Sequence, residues 1–429
     1  MPPDVSAARC SVVITGVGVL SPLGMGLEPL WNGLLAGQSG VRRIQHFDPT
    51  GLPVEFGGEV PEFDPKQHIR PRKSLKVMSR EIQFAFTAAE MALRDAGLQV
   101  GQFPPERLGV VFGADMIYGE LPDIQDAVSV SREPDSGQFN INRWASEGMG
   151  KIFPLWLLKY LPNMPACHVA IANDARASCN SIILGEVSAL VALAEGVRLI
   201  ERGLADMVIV GGVGHQINPT NIAFRANQEL SKRAADPENA CRPFDAQRSG
   251  SVFGEGATAL VIENAEYARK RGAKNMGRIL SYSIRHEPNK QGVPLTGIAM
   301  RRVLESCLQQ AGVEPQQLAH VHAHGIGQRE VDATEARMIA AVTGQVPVLA
   351  IKGATGNSSA GSGALELAAS LKSLETGLIP PSRNCDRVAA DCPIDVVHHE
   401  PRQAGNRYAL KLSHSNNGQA AAVLIERGE

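Results

Sequence analysis

The sequence predicts an α/β protein made of two similar halves. Three observations carry that expectation: short β-branched or apolar runs alternate with stretches of helical periodicity, the alternation occurs twice at similar length, and 429 residues exceed one ordinary core. Residues 11–15 (SVVIT) read as the first strand, ended by Gly16, Gly18, Pro22 and Gly24. A helix is expected over 31–35 and a longer one over 79–96, where Phe84, Phe86, Ala89, Leu93 and Ala96 recur at helical spacing. RLGVVF at 107–112 is a second buried strand. Strands at 168–172 and 206–210 bracket a helix at 187–202, and a strand at 257–262 closes the first half. A charged connection, 263–276, leads to the second, so the halves are taken as 1–262 and 263–429. In the second half, strands are expected at 277–282, 318–322, 348–351, 408–412 and 420–425, with helices at 296–311, 332–342 and 361–377. This alternation indicates helices layered on mostly parallel sheets. No low-complexity linker separates the halves, so one shared body is expected.

Composition narrows the function classes. The net charge of −2 gives no reason to expect a nucleic acid or an anionic membrane as partner. The local run Arg70, Arg72, Lys73 and Lys76 is either a solvated face or a dock for an acidic partner. Seven cysteines (Cys10, Cys167, Cys179, Cys241, Cys307, Cys385, Cys392) are odd in number and form no C-x-x-C pair. Residues 1–9 lack the features of a secretory signal. Reduced thiols in a cytoplasmic protein are expected. No uncharged apolar run reaches the roughly 18 residues of a membrane helix, so a soluble protein is expected. No metal or cofactor motif stands out, and none is expected.

Six segments in order carry a resemblance: VVITGVGVLSPLG at 12–24, WNGLLAGQSG at 31–40 with FD at 47–48, ADMVIVGG at 205–212, RPFDAQRSG at 242–250 with GEGA at 254–257, AHG at 323–325, and KGATG at 352–356 with small residues running to Glu366. Over about 400 residues the chain resembles the elongating β-ketoacyl-acyl-carrier-protein synthases of fatty-acid and polyketide pathways. The resemblance implies a thiolase-like fold, two similar α/β halves in a five-layer αβαβα body. It also implies acyl or malonyl thioesters on acyl carrier protein as substrates, and pairing as a homodimer or as a heterodimer with an active ketosynthase.

Condensing members of this family place a cysteine at the start of a buried helix, where backbone N–H groups favour a thiolate. Counting back from EGVRLI at 195–200 puts Glu186 at that position; counting forward from 168–172 puts Ala175 there. The disagreement implies inserted residues around Cys179, and the backward count is preferred because 187–200 reads as the long apolar helix. Glu186 then occupies the oxyanion hole, as Gln does in relatives that only decarboxylate malonyl groups; otherwise it is a helix cap or an ion-pair partner. Cys179 is the competing nucleophile if an inserted loop folds back, and a packing residue if it does not.

The resemblance assigns His324 to the first of two family histidines that hold the thioester oxygen, Asn357 to the second, and Lys352 to a supporting lysine partnered by Glu366 or Glu186. The alternatives are a core histidine and a fold-holding ion pair. His322 lies on the same strand face as His324, without a family role. Ile326-Gly-Gln328 replaces the family's Thr-x-Thr pantetheine clamp. His414 with Ser415-Asn416-Asn417-Gly418 replaces its Gly-Phe-Gly-Gly gate, so His414, Asn416 and Gly418 are either a polar gate, with His414 an added base near the site, or an ordinary surface loop. The leading expectation is a ketosynthase-family protein that decarboxylates malonyl thioesters; a silent, chain-length-factor-like partner and a true condensing enzyme using Cys179 are the alternatives.

Overall fold

A computed structural model describes residues 11–288 and 295–429. Cys10 and the stretch 1–9 lie outside the described residues. The principal strands are β1 (Val12–Ser21), β2 (Leu108–Gly113), β3 (Cys179–Ile182), β4 (Met207–His215), β5 (Glu255–Asn264), β6 (Gly277–His286), β7 (Leu318–His322), β8 (Val348–Leu349), β9 (Tyr408–His414) and β10 (Gln419–Arg427). They run in the spatial order β8-β7-β9-β10-β6-β1-β5-β4-β2-β3. From the centre outward the order is β1-β5-β4-β2-β3 on one side and β6-β10-β9-β7-β8 on the other, the same connectivity twice. The sides meet where Val12 to Ile14 pair antiparallel with Ile279 to Gly277.

Strand alternation explains the layers. On β2, Val110 and Phe112 face a cluster with Phe84, Ala88 and Ala92 of α1 (Arg80–Asp95) and Val169 of α2 (Met164–Ala172). Val111, pointing the other way, joins Leu190, Leu193 and Val197 of α3 (Ser188–Glu201). Likewise on β10, Ala420, Ala422 and Leu424 face α5 (Ile298–Ala311) and α6 (Arg329–Thr343), while Ala421, Val423 and Ile425 face inward. The inner layer holds α3 and α8 (Ser362–Thr376), whose Leu365, Leu367 and Leu371 share α3's cluster. The result is a thiolase-like αβαβα body in which both sides of the sheet contribute to one core. Between those helices lie α4 (Pro219–Phe224) and α7 (Lys352–Thr355), short elements that matter for the site.

Three expectations need correction. The sheet is mixed rather than mostly parallel: β1–β5, β5–β4, β6–β10 and β10–β9 are antiparallel, and parallel pairing is confined to the outer strands β4, β2, β3 and β9, β7, β8. Residues 168–172 are the end of α2, not a strand. Pro165, Ala166, Val169 and Ala170 are buried at helical spacing while Ile171 is exposed, a period the short apolar run concealed. The strand preceding α3 is β3 itself, so the forward count started from the wrong element and no inserted loop around Cys179 is needed.

A buried ion cluster ties the layers together. Glu255 of β5 accepts two hydrogen bonds from Arg80 of α1, at 2.7 and 2.6 Å, and lies 2.6 Å from the His215 ring on β4. Burial raises the Glu255 carboxyl, but those charges outweigh it and hold it far below the usual range. Two glycines set the approach of the site-bearing turns. A Cβ on Gly113 would lie 2.6 Å from the Ala189 nitrogen at the tip of α3, and one on Gly214 only 1.8 Å from the Ser358 carbonyl oxygen. Gly214→Ala is therefore expected to destabilise the protein by about 1–3 kcal/mol through overpacking, read as a lower urea midpoint.

Candidate functional site

Glu186 lies in a one-turn segment, Gly185–Val187, that leads from the end of β3 into α3. Parallel pairing of β3 with β2 ends at Ile182–Gly113, which fixes where this turn begins. Ser188 fastens it: its hydroxyl accepts from the Leu184 N–H at 2.8 Å and donates to the Ala114 carbonyl at 3.3 Å. Desolvation pushes the partly buried Glu186 carboxyl up, and the negative charge of Asp115 adds to that; its backbone hydrogen bond, Arg225 and His414 oppose it. A carboxylate, not sulfur, stands at the helix tip.

Cys179 is not brought there. It is the first residue of β3, opposite Val110, at the far end of the strand from Glu186, and it is exposed. Partial desolvation and the neighbouring Cys167 thiol push its pKa up, the wrong direction for a nucleophile. Burial pushes the thiols of Cys241, Cys307, Cys385 and Cys392 up to about 12.

His324 follows β7 on the other side of the core and is buried. Lys352, at the start of α7, donates to the His324 carbonyl oxygen at 2.7 Å and lies 3.2 Å from its Nδ1. An ammonium on Nδ1 makes that nitrogen an acceptor, which leaves the ring proton on Nε2 as a donor. Desolvation, reinforced by the charges of Lys352, His414 and Lys411, holds the imidazole pKa well below its ordinary value, so the ring is neutral. Lys352 completes its contacts with Glu366 of α8, the first of its two expected partners; Glu186 is not one of its contacts. Glu366 serves a second lysine, Lys411, at 2.8 Å. Lys411 also donates to the His322 and Ala323 carbonyls at 3.4 and 3.3 Å, and burial drives its pKa down. The signal for Lys411 was present in the sequence: a lysine inside an otherwise apolar strand is rarely buried without a partner.

Glu335 of α6 closes the group. Its carboxylate accepts the backbone N–H of His324 at 2.5 Å and of Gly325 at 2.9 Å, and lies 3.4 Å from His414 Nε2. Burial raises the Glu335 carboxyl, yet His414 and these donors hold it below the carboxylate range. His414, at the end of β9, packs edge-on against His324 with centroids 4.6 Å apart. Of the three expected gate residues, only His414 joins the cluster. Asn416 and Gly418 form the β9–β10 turn, where Asn416 is exposed and a Cβ on Gly418 would lie 2.2 Å from the Glu287 carbonyl. His322 bonds Ser370 at 2.8 Å instead of entering the site.

Asn357 is buried at the turn after α7. Its Oδ1 accepts from the Ser359 N–H and the Ser362 hydroxyl, both at 3.1 Å, which turns the amide NH2 away from that turn. Gln328 bonds the Glu229 carbonyl at 3.2 Å, and Ile326 is buried, its N–H on Asp332 at 3.1 Å. Sequence reasoning missed Glu335, Asp115 and Arg225, which are ordinary acidic and basic residues until packing assembles them. Among the described residues no group of three or more His, Cys, Asp or Glu side chains could hold a metal ion.

Family models match most of the chain: the β-ketoacyl synthase N-terminal domain over residues 10–268 and its C-terminal domain over 276–386. A 3-oxoacyl-[acyl-carrier-protein] synthase 2 of Coxiella burnetii is 30% identical, over 97% of this chain and 98% of that protein. The tetracenomycin polyketide synthase ketoacyl synthase beta subunit of Streptomyces glaucescens is 31% identical, over 98% and 99%. The solved ishigamide ketosynthase/chain length factor superposes with a TM-score of 0.84 at 28% identity, covering 98% of this chain and all of that one.

The shared carboxylate makes an asymmetric prediction. Glu366→Gln strands two buried ammonium groups and is expected to cost about 3–5 kcal/mol, whereas Lys411→Met leaves Lys352 paired and costs far less. Urea unfolding of the two variants checks the order; equal losses would contradict it.

Proposed function

The chain belongs to the β-ketoacyl synthase family of fatty-acid and polyketide biosynthesis, and from that premise we propose that it decarboxylates malonyl thioesters carried on acyl carrier protein and does not condense them. The reading is carried by the pairing of a neutral His324, its Nε2–H left as donor by Lys352, with a helix tip that offers a carboxyl in place of a thiol.

In the proposed reaction the bond between the malonyl carboxylate carbon and the α-carbon breaks. CO2 leaves, and the electron pair moves to the α-carbon and the thioester oxygen. His324 Nε2–H and the Asn357 NH2 hold the charge that develops on that oxygen, donors already in place before the reaction. A proton from solvent then gives the acetyl thioester. Asn357 holds but does not shuttle protons, which suits decarboxylation. Glu186 in its protonated form fills the helix-tip position without repelling the malonyl carboxylate, and its raised pKa supports that state. Exposed Arg70, Arg72, Lys73 and Lys76 supply a surface for an acidic carrier protein.

Purified protein given malonyl-carrier protein is expected to release CO2, and His324→Ala to abolish it; absence of release from the wild type ends this reading. A raised pKa on Glu186 sets the sign of the pH profile. Activity is present below that pKa and declines as pH rises through it, and Glu186→Gln is expected to remove the alkaline decline.

A second reading, a chain-length-factor-like partner of an active ketosynthase, is favoured by a different observation. β3 is an edge strand with no neighbour on its outer side among the described residues, flanked by exposed Ile171 and Ile183. Such an edge invites pairing with a second chain, either a copy or a cysteine-bearing relative. Co-expression with such a relative followed by light scattering distinguishes the two. Ser181→Pro, which removes an N–H directed away from β2, is expected to dissociate either dimer.

A further inference from the structure

Beside the His324 cluster, four separate segments converge on Asp115. It lies two residues beyond the end of β2, and its carboxylate accepts from Arg225 at 3.0 Å, from Gln216 Nε2 at 3.3 Å and from the Ser359 hydroxyl at 2.6 Å. Arg225 follows directly on α4. Its side chain is 19% exposed, and its Nε is buried with no hydrogen-bond partner. Ser359 links the group to the site: its own N–H donates to Asn357 Oδ1. Ser359 does so from the left-handed region, φ 50°, which holds its hydroxyl toward Asp115. Arg225 and Asp115 are also near enough to Glu186 for both charges to bear on it.

With the Met116 N–H on its Oδ1 at 2.9 Å, Asp115 has four donors and is satisfied, so it anchors the guanidinium instead of using it up. A guanidinium offers five N–H donors in a rigid fork suited to a carboxylate, and a buried N–H without an acceptor is unfavourable until a ligand supplies one. We propose that Arg225, fixed by Asp115, is a specificity-determining residue that takes the free carboxylate of the malonyl thioester, next to the Asn357 amide. The inference rests on the malonyl reading above and adds the group that recognises the substrate. Two consequences follow. An ionised Glu186 competes for Arg225, so neutral Glu186 serves substrate binding as well. And once CO2 has left, the acetyl product carries no charge for Arg225 to hold, which favours its release.

Gripping the carboxylate stabilises bound substrate more than the transition state, where the charge has moved toward the thioester oxygen. Loss of Arg225 therefore acts on KM, not kcat. The experiment measures binding of malonyl-pantetheine and acetyl-pantetheine to the wild type, Arg225→Gln, and Asp115→Asn/Arg225→Gln. The double variant keeps the site neutral should Asp115 left alone impair folding. The wild type is expected to prefer malonyl by about tenfold, as one charge-assisted contact supports, and both variants to bind the two ligands alike with acetyl affinity unchanged. In CO2 release, KM is expected to rise by about the same factor with kcat held or increased. Equal wild-type affinities, or a malonyl preference that survives in both variants, would overturn the proposal. A malonyl preference lost in the variants without CO2 release from the wild type would end the decarboxylase reading alone. CO2 release with a KM indifferent to Arg225 would end only the role of Arg225.

Discussion

Glu366 is a single carboxylate placed between two lysines in the interior, and the state of His324 depends on it. Without that carboxylate the two lysines would lie in the core with no counter-charge, a costly arrangement for buried ammonium groups. With it, Lys352 is held 3.2 Å from His324 Nδ1, and the imidazole, its pKa lowered by burial, presents Nε2–H as a donor. Lys411, already pushed down by burial and by the nearby charge of Lys352, holds the carbonyls of His322 and Ala323 and so fixes the chain just before His324. Glu335 fixes the chain at and just after it through two N–H groups. The histidine is immobilised from both sides by charges that cancel one another.

The doubled strand order gives this arrangement its setting. Glu186, Asp115 and Arg225 come from the first half; His324, Lys352, Asn357, Glu366 and His414 come from the second. They meet because α3 and α8 are packed together between the two sides of the sheet, and because glycines at 113 and 214 allow backbone to approach backbone where a Cβ would collide. The cluster therefore belongs to the junction and to neither half alone. A scaffold that keeps its glycines and its apolar alternation can exchange the groups at this junction without losing its fold.

The groups that meet at the junction are mostly polar. A carboxyl stands at the helix tip, an imidazole at the end of β9, and an aspartate–arginine pair beside them. Such groups offer an apolar chain little and a charged acyl group much. The exposed thiol of Cys179 and the buried thiols elsewhere have their pKa values raised, so none is prepared as a nucleophile.

Much of this was written in local periodicity. The strands around β1, β2, β4 to β7, β9 and β10 and the helices α1, α3, α5, α6 and α8 could be read from spacing, because each depends on neighbours within a turn or a strand, and the family's motifs nominated Glu186, His324, Lys352 and Asn357 as candidate site residues. Periodicity failed where runs are short: five apolar residues at 168–172 fit a strand as well as the end of a helix, and that ambiguity moved Cys179 into contention. Tertiary structure alone decided which groups touch. Lys352 and Glu366 are 14 residues apart and Asp115 and Ser359 are 244 apart. Pairings of that kind arise from how sheets twist and helices pack, and no short-range pattern encodes them; the residues at the site belonged to the sequence, their partners and protonation states to the folded chain.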